Sequence, residues 1–232
     1  MRCAGIENDT MSAMYQLPAE SIDAPAVAEF EEKRSRFIGL IARASSEDEA
    51  RAFIAQCVSA YPDARHHCHA FILHQEGAQP IERSSDDGEP SGTAGMPMLD
   101  VVRGSGLLNV VAVVVRYFGG IKLGTGGLVR AYGHAVQLAV EQVSVVDRAK
   151  RLLLRLELDH ASAGKIESEL RHPHGFELAV LEPDYTARGV VLTLAVDPAD
   201  EERATALISQ LSGGTASVSR GGEMWVDTPR KR

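Results

Sequence analysis

The chain has 232 residues, 44% hydrophobic and 24% charged, and its 24 Lys and Arg against 32 Asp and Glu give a formal charge of −8. That length holds one large domain or two small ones. The acidic balance excludes non-specific coating of nucleic acid by the whole surface, so any such contact is confined to a patch. Three cysteines (Cys3, Cys57, Cys68) without CxxC spacing supply neither a disulfide framework nor a zinc knuckle, which fits a reducing cytoplasm.

Residues 1–20 are expected to form a disordered leader. MRCAGIENDTMSAM contains Glu7 and Asp9 and no sustained apolar core, so it does not have the form of a secretory signal. Two strands follow at Val27–Lys33 and Phe37–Ala42, joined by a tight polar turn. Ser46 with Glu49 marks a helix start. Ala50, Phe53, Ile54, Cys57, Val58 and Tyr61 then repeat at helical spacing up to Pro62, which places Cys57 on a buried stripe. His66–His74 reads as a third strand and Gln75–Gly95 as a long polar loop, followed by a short helix over Met96–Val102 interrupted by Pro97. Leu107–Phe118 is nearly continuous in Leu, Val and Ala, as a strand covered on both faces requires. Its longest apolar run, around Val110–Val115, is too short to span a bilayer. A helix from Leu128 to about Val143 buries Leu128, Tyr132, Ala135, Val136, Ala139 and Val143, and its opposite face carries Arg130, His134, Gln137 and Glu141.

The pattern restarts after Val146. Strands are expected at Arg151–Leu158, Phe176–Leu181 and Gly189–Val196. Helices are expected at Ser162–Arg171 and from Asp197-Pro198 to Leu211, with a last strand at Thr215–Ser219 and another segment at Glu223–Val226. That order, βαββαβ, is ferredoxin-like. The expected division is a leader (1–20), a first domain (21–146), a ferredoxin-like second domain (147–227) and a basic tail (228–232).

From Val101 to Val140 there is no Asp or Glu. Within this stretch GGIKLGTGG (Gly119, Gly120, Lys122, Gly124, Thr125, Gly126, Gly127) links the apolar strand to the helix, and Arg103, Arg116 and Arg130 flank it. Glycines permit close backbone approach, and amides at a helix start favour anions. The loop is not a Walker motif, because Thr125 follows Gly124 where Lys is needed, nor a dinucleotide fingerprint, because Val129 stands at the third glycine. Its alternatives are an anion site and a tight connection whose glycines serve geometry alone. Tyr117 and Phe118 are expected in the core, with stacking on a base as the alternative.

Three other clusters are candidates. Asp86, Asp87 and Glu89 could serve a hard cation or acid–base chemistry, or, with Ser91 and Thr93, hold a turn-rich loop. His67 and His69 share one strand face and His66 and Cys68 the other; an HxH pair lacks a third zinc ligand, so no metal is expected. Lys33, Ser35 and Arg36 form a polar cluster at the first turn. No GxSxG, HExxH or EF-hand spacing occurs, so no catalytic residue and no cofactor is assigned.

EEKRSRF (Glu31–Phe37), DARHHCHAF (Asp63–Phe71), SDDGEPSGTAGMP (Ser85–Pro97) and RYFGGIKLGTGGLVRAY (Arg116–Tyr132) together resemble the YigZ/IMPACT family. The resemblance covers Val27–Val143, and the second half resembles the C-terminal domain of the bacterial branch. It implies an α+β fold. The first domain should be like the second domain of a ribosomal small-subunit protein, a β-rich arrangement shared with GHMP kinases. The second should be like the ferredoxin-like terminal domain of elongation factor G. It further implies a translation-associated binding module that contacts RNA, the ribosome or a translation-associated protein, with no membrane partner. The competing expectation is an enzyme for a small phosphorylated or peptide-like substrate, using Asp86, Asp87 and Glu89 with Lys122 and Arg116.

Overall fold

The computed structural model describes residues 14–172 and 174–230, and among these the chain divides into two compact units, Tyr15–Asp147 with the residues from Thr228 on, and Arg148–Asp227 with Met14. The start of the expected leader and Lys231-Arg232 of the basic tail lie outside the described residues. The architecture is α+β, as the sequence indicates.

The first unit opens with β1 (Met14–Pro18) and then forms a five-stranded sheet from β2 (Ala26–Glu32), β3 (Ser35–Arg43), β4 (His66–Leu73), β5 (Ile81–Ser85) and β6 (Val110–Tyr117). The order is β2-β3-β6-β4-β5 with antiparallel neighbours. Helix α1 (Glu47–Ala60) covers one face, where Ile38, Leu40, Phe71, Val111, Val113 and Val115 meet Phe53 and Cys57. Helices α2 (Gly95–Ser105) and α3 (Thr125–Val140) cover the other, where Phe37, Ile41, Cys68, Ala112 and Val114 meet Met98, Tyr132 and Val136. Both faces of β6 are therefore buried, which is why its sequence reads as one apolar run.

Local chemistry sets the ends of these elements. Ser46 Oγ accepts from the Glu49 amide at 3.2 Å, while the Glu49 carboxylate accepts from the Ser45 amide at 2.7 Å, so the N-terminus of α1 is capped from both sides. The β2–β3 turn has positive φ at both central residues, Lys33 (47°) and Arg34 (63°), as a two-residue hairpin matched to the strand twist demands. Gly39 on β3 is where α3 comes closest: a Cβ there would lie 2.5 Å from the Ala135 carbonyl oxygen.

Several expectations are corrected. Met14–Pro18, placed in a disordered leader, is a strand: Leu17 is fully buried and the Leu108 amide donates to the Gln16 carbonyl at 2.8 Å. Two adjacent buried residues, Leu17 and Pro18, are too short a pattern to announce it. The Gln75–Gly95 loop contains β5, a charged edge strand whose composition disguises it. Pro97 does not interrupt α2, because it sits in the first turn, where its missing N–H has no intrahelical acceptor in any case. Helix α3 starts at Thr125 rather than Leu128 and ends at Val140.

The second unit contains β7 (Val145–Leu158, from Arg148 onward), α4 (His160–Leu170), β8 (Leu178–Val180), β9 (Asp184–Thr186), β10 (Gly189–Val196), α5 (Glu201–Ser212) and β11 (Ser217–Pro229). The sheet runs β11-β7-β10-β8, with β7 and β10 at its centre, β11 and β8 outside them, β9 added beside β10 and β1 pairing with β7. Leu154, Leu156, Leu192 and Leu194 pack against Ile166, Leu170 and Ile208 of the two helices. This is the ferredoxin-like arrangement, with β9 as an addition. Strand β11 also runs on to Pro229, so the tail's beginning belongs to the sheet.

Because Arg34 holds a left-handed conformation that L side chains adopt at a cost, Arg34→Gly is expected to stabilise the first unit by about 0.5–1 kcal/mol. A rise in the urea midpoint at unchanged slope checks this; a fall would show that the Arg34 side chain contributes packing that its exposure does not suggest.

Candidate functional site: a buried arginine beneath a cationic glycine loop

The four sequence motifs converge on one carboxylate. Glu89, only 9% exposed, follows the turn after β5. Its Oε1 accepts from Arg116 Nη1 at 2.5 Å and from the Tyr132 hydroxyl of α3 at 2.7 Å. His66 Nε2 lies 3.9 Å from the same oxygen. On the sheet, Arg116 is flanked by Phe37 of β3 and His66 of β4. Ser35 Oγ accepts from Arg116 Nη2 at 3.5 Å and from the Gly119 amide at 3.2 Å. The Arg116 guanidinium carbon sits 5.4 Å from the Phe37 ring centroid and 5.6 Å from that of Phe118. A charge this deep requires a charged partner, and Glu89 is that partner.

Around this pair the acidic loop turns inward. Asp86 accepts from the amides of Gly92 (2.8 Å), Ala94 (2.9 Å) and Gly95 (2.8 Å), tying down the approach to α2. Burial by itself would raise its pKa, but the three amides together outweigh that and leave it below the ordinary carboxylate range. Asp87 Oδ2 accepts from the His67 amide at 2.5 Å, and its carbonyl oxygen lies 2.8 Å from His66 Nδ1. Thr93 Oγ1 donates to the Pro90 carbonyl at 2.6 Å, whereas Ser91 is exposed. Burial pushes the Cys68 thiol up to about 12, and the thiol donates to the Asp86 carbonyl at 2.9 Å. Burial likewise drives the Tyr132 hydroxyl far above its usual range, so it stays a neutral donor to Glu89. This loop thus presents hydrogen bonds to its own protein. Asp86 and Glu89 are taken up by these bonds, while the Asp87 side chain remains 45% exposed.

The expected cationic residues separate into two groups. Arg116 is buried on Glu89, Arg103 lies on Glu82 (2.6 Å) and Asp100 (2.8 Å), and Arg36 forks onto Glu29 with both bonds at 2.7 Å. Arg103 and Arg116, expected at an anion site, are both paired internally, Arg116 in a buried pair and Arg103 in exposed ones. Lys33, Lys122 and Arg130 have no ion-pair or hydrogen-bond partner among the described residues. Lys33 and Arg130 line a groove of about 470 Å³ with Glu32, Leu123, Gly127 and His134. Lys122 is the neighbour of Leu123 in the loop.

The glycines have distinct jobs. Gly119 faces the hairpin turn so closely that a Cβ would lie 1.9 Å from the Arg34 carbonyl oxygen, so no other residue fits. Gly120 and Gly124 have φ of 84° and 74°. Gly124 precedes α3 without any side-chain cap, which leaves the first-turn amides of Thr125, Gly126 and Gly127 turned toward whatever lies beyond the helix start. His67 Nε2 lies 3.1 Å from the Tyr61 carbonyl. Burial lowers the His69 pKa and favours its neutral form. Among the described residues no group of three His, Cys, Asp or Glu is placed to hold a metal, and no helix is long and apolar enough to cross a membrane.

Sequence reasoning overlooked Tyr132 as Glu89's second donor, His66 as its neighbour and His134 in the groove. Tyr132 carried a usable signal, since a tyrosine on a buried helical stripe must find a partner for its hydroxyl.

Comparison with known proteins places this geometry in a wider group. Residues 33–140 match the Impact N-terminal domain and residues 156–215 match a domain of unknown function, DUF1949. IMPACT family member YvyE of Bacillus subtilis is 36% identical over 189 residues, covering 82% of this chain and 84% of that protein. IMPACT family member YigZ of Escherichia coli is 38% identical over 195 residues, covering 84% and 94%. A crystal structure described as that of a hypothetical protein superposes with a TM-score of 0.57 at 36% identity, covering 90% of this chain and 97% of the other.

Two outcomes follow from the buried pair and its loop. Glu89→Ala, which leaves Arg116 buried without its counter-charge, is expected to cost about 3–5 kcal/mol. Glu29→Ala at the exposed Arg36 pair should barely move the urea midpoint. Equal effects would contradict the burial argument. Asp86→Asn should cost about 1–2 kcal/mol near neutrality through its amide bonds. Because Asp86's folded pKa is depressed, its stabilisation is full above the unfolded value of about 3.9 and is lost as pH falls through the folded value. The gap between wild type and Asp86→Asn should therefore close in acid. A gap independent of pH would contradict this.

Proposed function

The chain belongs to the IMPACT family, and from that premise and the glycine-loop geometry we propose that it is a cytoplasmic, translation-associated binding module that engages the phosphate backbone of RNA, free or on the ribosome. Lys33, Lys122 and Arg130 supply the charge. The amides at Thr125, Gly126 and Gly127 supply directed donors to a phosphate oxygen. The observation that carries this reading is the division among the cations: in a protein of net charge −8, these three are left without carboxylate partners around one uncapped helix start. Arg116 serves by holding the loop from beneath. Asp86 and Glu89 of the acidic loop are committed to internal hydrogen bonds, which favours binding over the enzymatic reading.

Filter binding of single-stranded RNA across a salt series tests the proposal. Each phosphate contact contributes about 0.7 to the slope of log K against log salt, so Lys122→Glu with Arg130→Glu should flatten the slope by about 1.4 and weaken binding at low salt. A slope unchanged by both substitutions would remove the groove from the interaction.

A further inference from the structure

Phe118 is the first residue after β6, and it is 46% exposed, whereas Phe37 and Tyr132 of the same neighbourhood are fully buried. Its position is nevertheless fixed. The Arg116 guanidinium stands 5.6 Å from the ring centroid and is itself held by Glu89. The very next amide, Gly119 N–H, donates to Ser35 Oγ, and the Gly119 backbone lies against the Arg34 carbonyl. An aromatic ring braced by an immobile cation and left open to solvent is pre-organised, so a planar partner would pay little ordering entropy on stacking there.

We propose that Phe118 is a stacking platform for an unpaired base, so that the ligand class of the glycine-loop surface is single-stranded nucleic acid. This rests on the phosphate-binding reading above and narrows it. Charge complementarity selects the occupant. Lys33, Lys122 and Arg130 call for a polyanion, and the open ring calls for a polyanion with exposed flat groups. A duplex hides its base faces in its own stack, and an acidic peptide has charge without a planar face. Single strands offer both, and base–aromatic stacking is tolerant of sequence.

Fluorescence anisotropy with a labelled poly(A) strand, and with the same strand annealed to poly(U), tests the assignment using the full chain. Phe118→Leu is expected to weaken strand binding roughly tenfold while leaving duplex binding and the salt slope unchanged, and Phe118→Trp should match or exceed wild type. Undiminished strand affinity in Phe118→Leu, or an equal loss for strand and duplex, overturns the platform. If Lys122→Glu with Arg130→Glu lowers affinity while Phe118→Leu does not, the platform fails and the cationic groove stands. If the charge reversals also change nothing, the binding reading falls with it. Saturable binding of poly-glutamate in place of either nucleic acid would assign the surface to an acidic protein and overturn the proposal. Should Phe118→Leu melt early, the Phe118→Tyr and Phe118→Trp pair carries the test: affinity that follows the ring supports stacking, and affinity indifferent to it overturns stacking.

Discussion

The Arg116–Glu89 ion pair is the interaction on which the first unit's functional end depends. β6 is covered on both faces, so a guanidinium at its end must be buried or must disrupt the strand. The chain buries it and neutralises it with a carboxylate from a loop 27 residues earlier. Tyr132 of α3 shares that carboxylate oxygen, and Ser35 of the hairpin shares the guanidinium. One charge pair therefore ties a hairpin turn, a central strand, a helix and a loop into a fixed frame. The desolvation cost of such a pair is large, and in return the chain gains a single geometry for the glycine loop.

That frame explains why the surface above it can be cationic without collapsing onto itself. Self-neutralising pairs occupy Arg36, Arg103 and Arg116, whose carboxylates come from β2, β5, α2 and the loop after β5. Lys122 and Arg130 sit where the sequence supplies no acid between Val101 and Val140, and Lys33 follows Glu31 and Glu32, of which Glu32 lines the groove. The hairpin turn tolerates left-handed backbone at Lys33 and Arg34, and local strain of this kind persists where surrounding structure over-determines it. Gly119 against Arg34 and Ser35 against Gly119 are those determinants.

Much of this frame could be read before any coordinates, wherever pattern and physics coincide. The α1 start followed from Ser46 and Glu49, the buried strand from its unbroken apolar run, and the ferredoxin-like unit from the alternation of its elements. What escaped the sequence did so for identifiable reasons. The first turn of α3 contains Gly126 and Gly127, poor helix formers, and tertiary packing through Leu128 and Tyr132 overrides them. β5 is an edge strand written in charged and hydroxyl residues, and β1 buries only Leu17 and Pro18. The direction of Arg116 was the costliest omission. A strand buried on both faces leaves no solvent side for a charge, so position alone implied an internal partner, but its identity depends on a contact between distant parts of the chain. The same contact gives Glu89 of the acidic loop a structural partner.

The most direct measurement of the central claim is an amide NMR titration of the full chain with a short single-stranded RNA. The largest shifts are expected at Thr125, Gly126 and Gly127 and at the Lys33-Arg34 turn, with the Arg116 side-chain resonances little changed because Glu89 holds them. Shifts confined to the second unit, or their absence from the helix start at saturation, would contradict it.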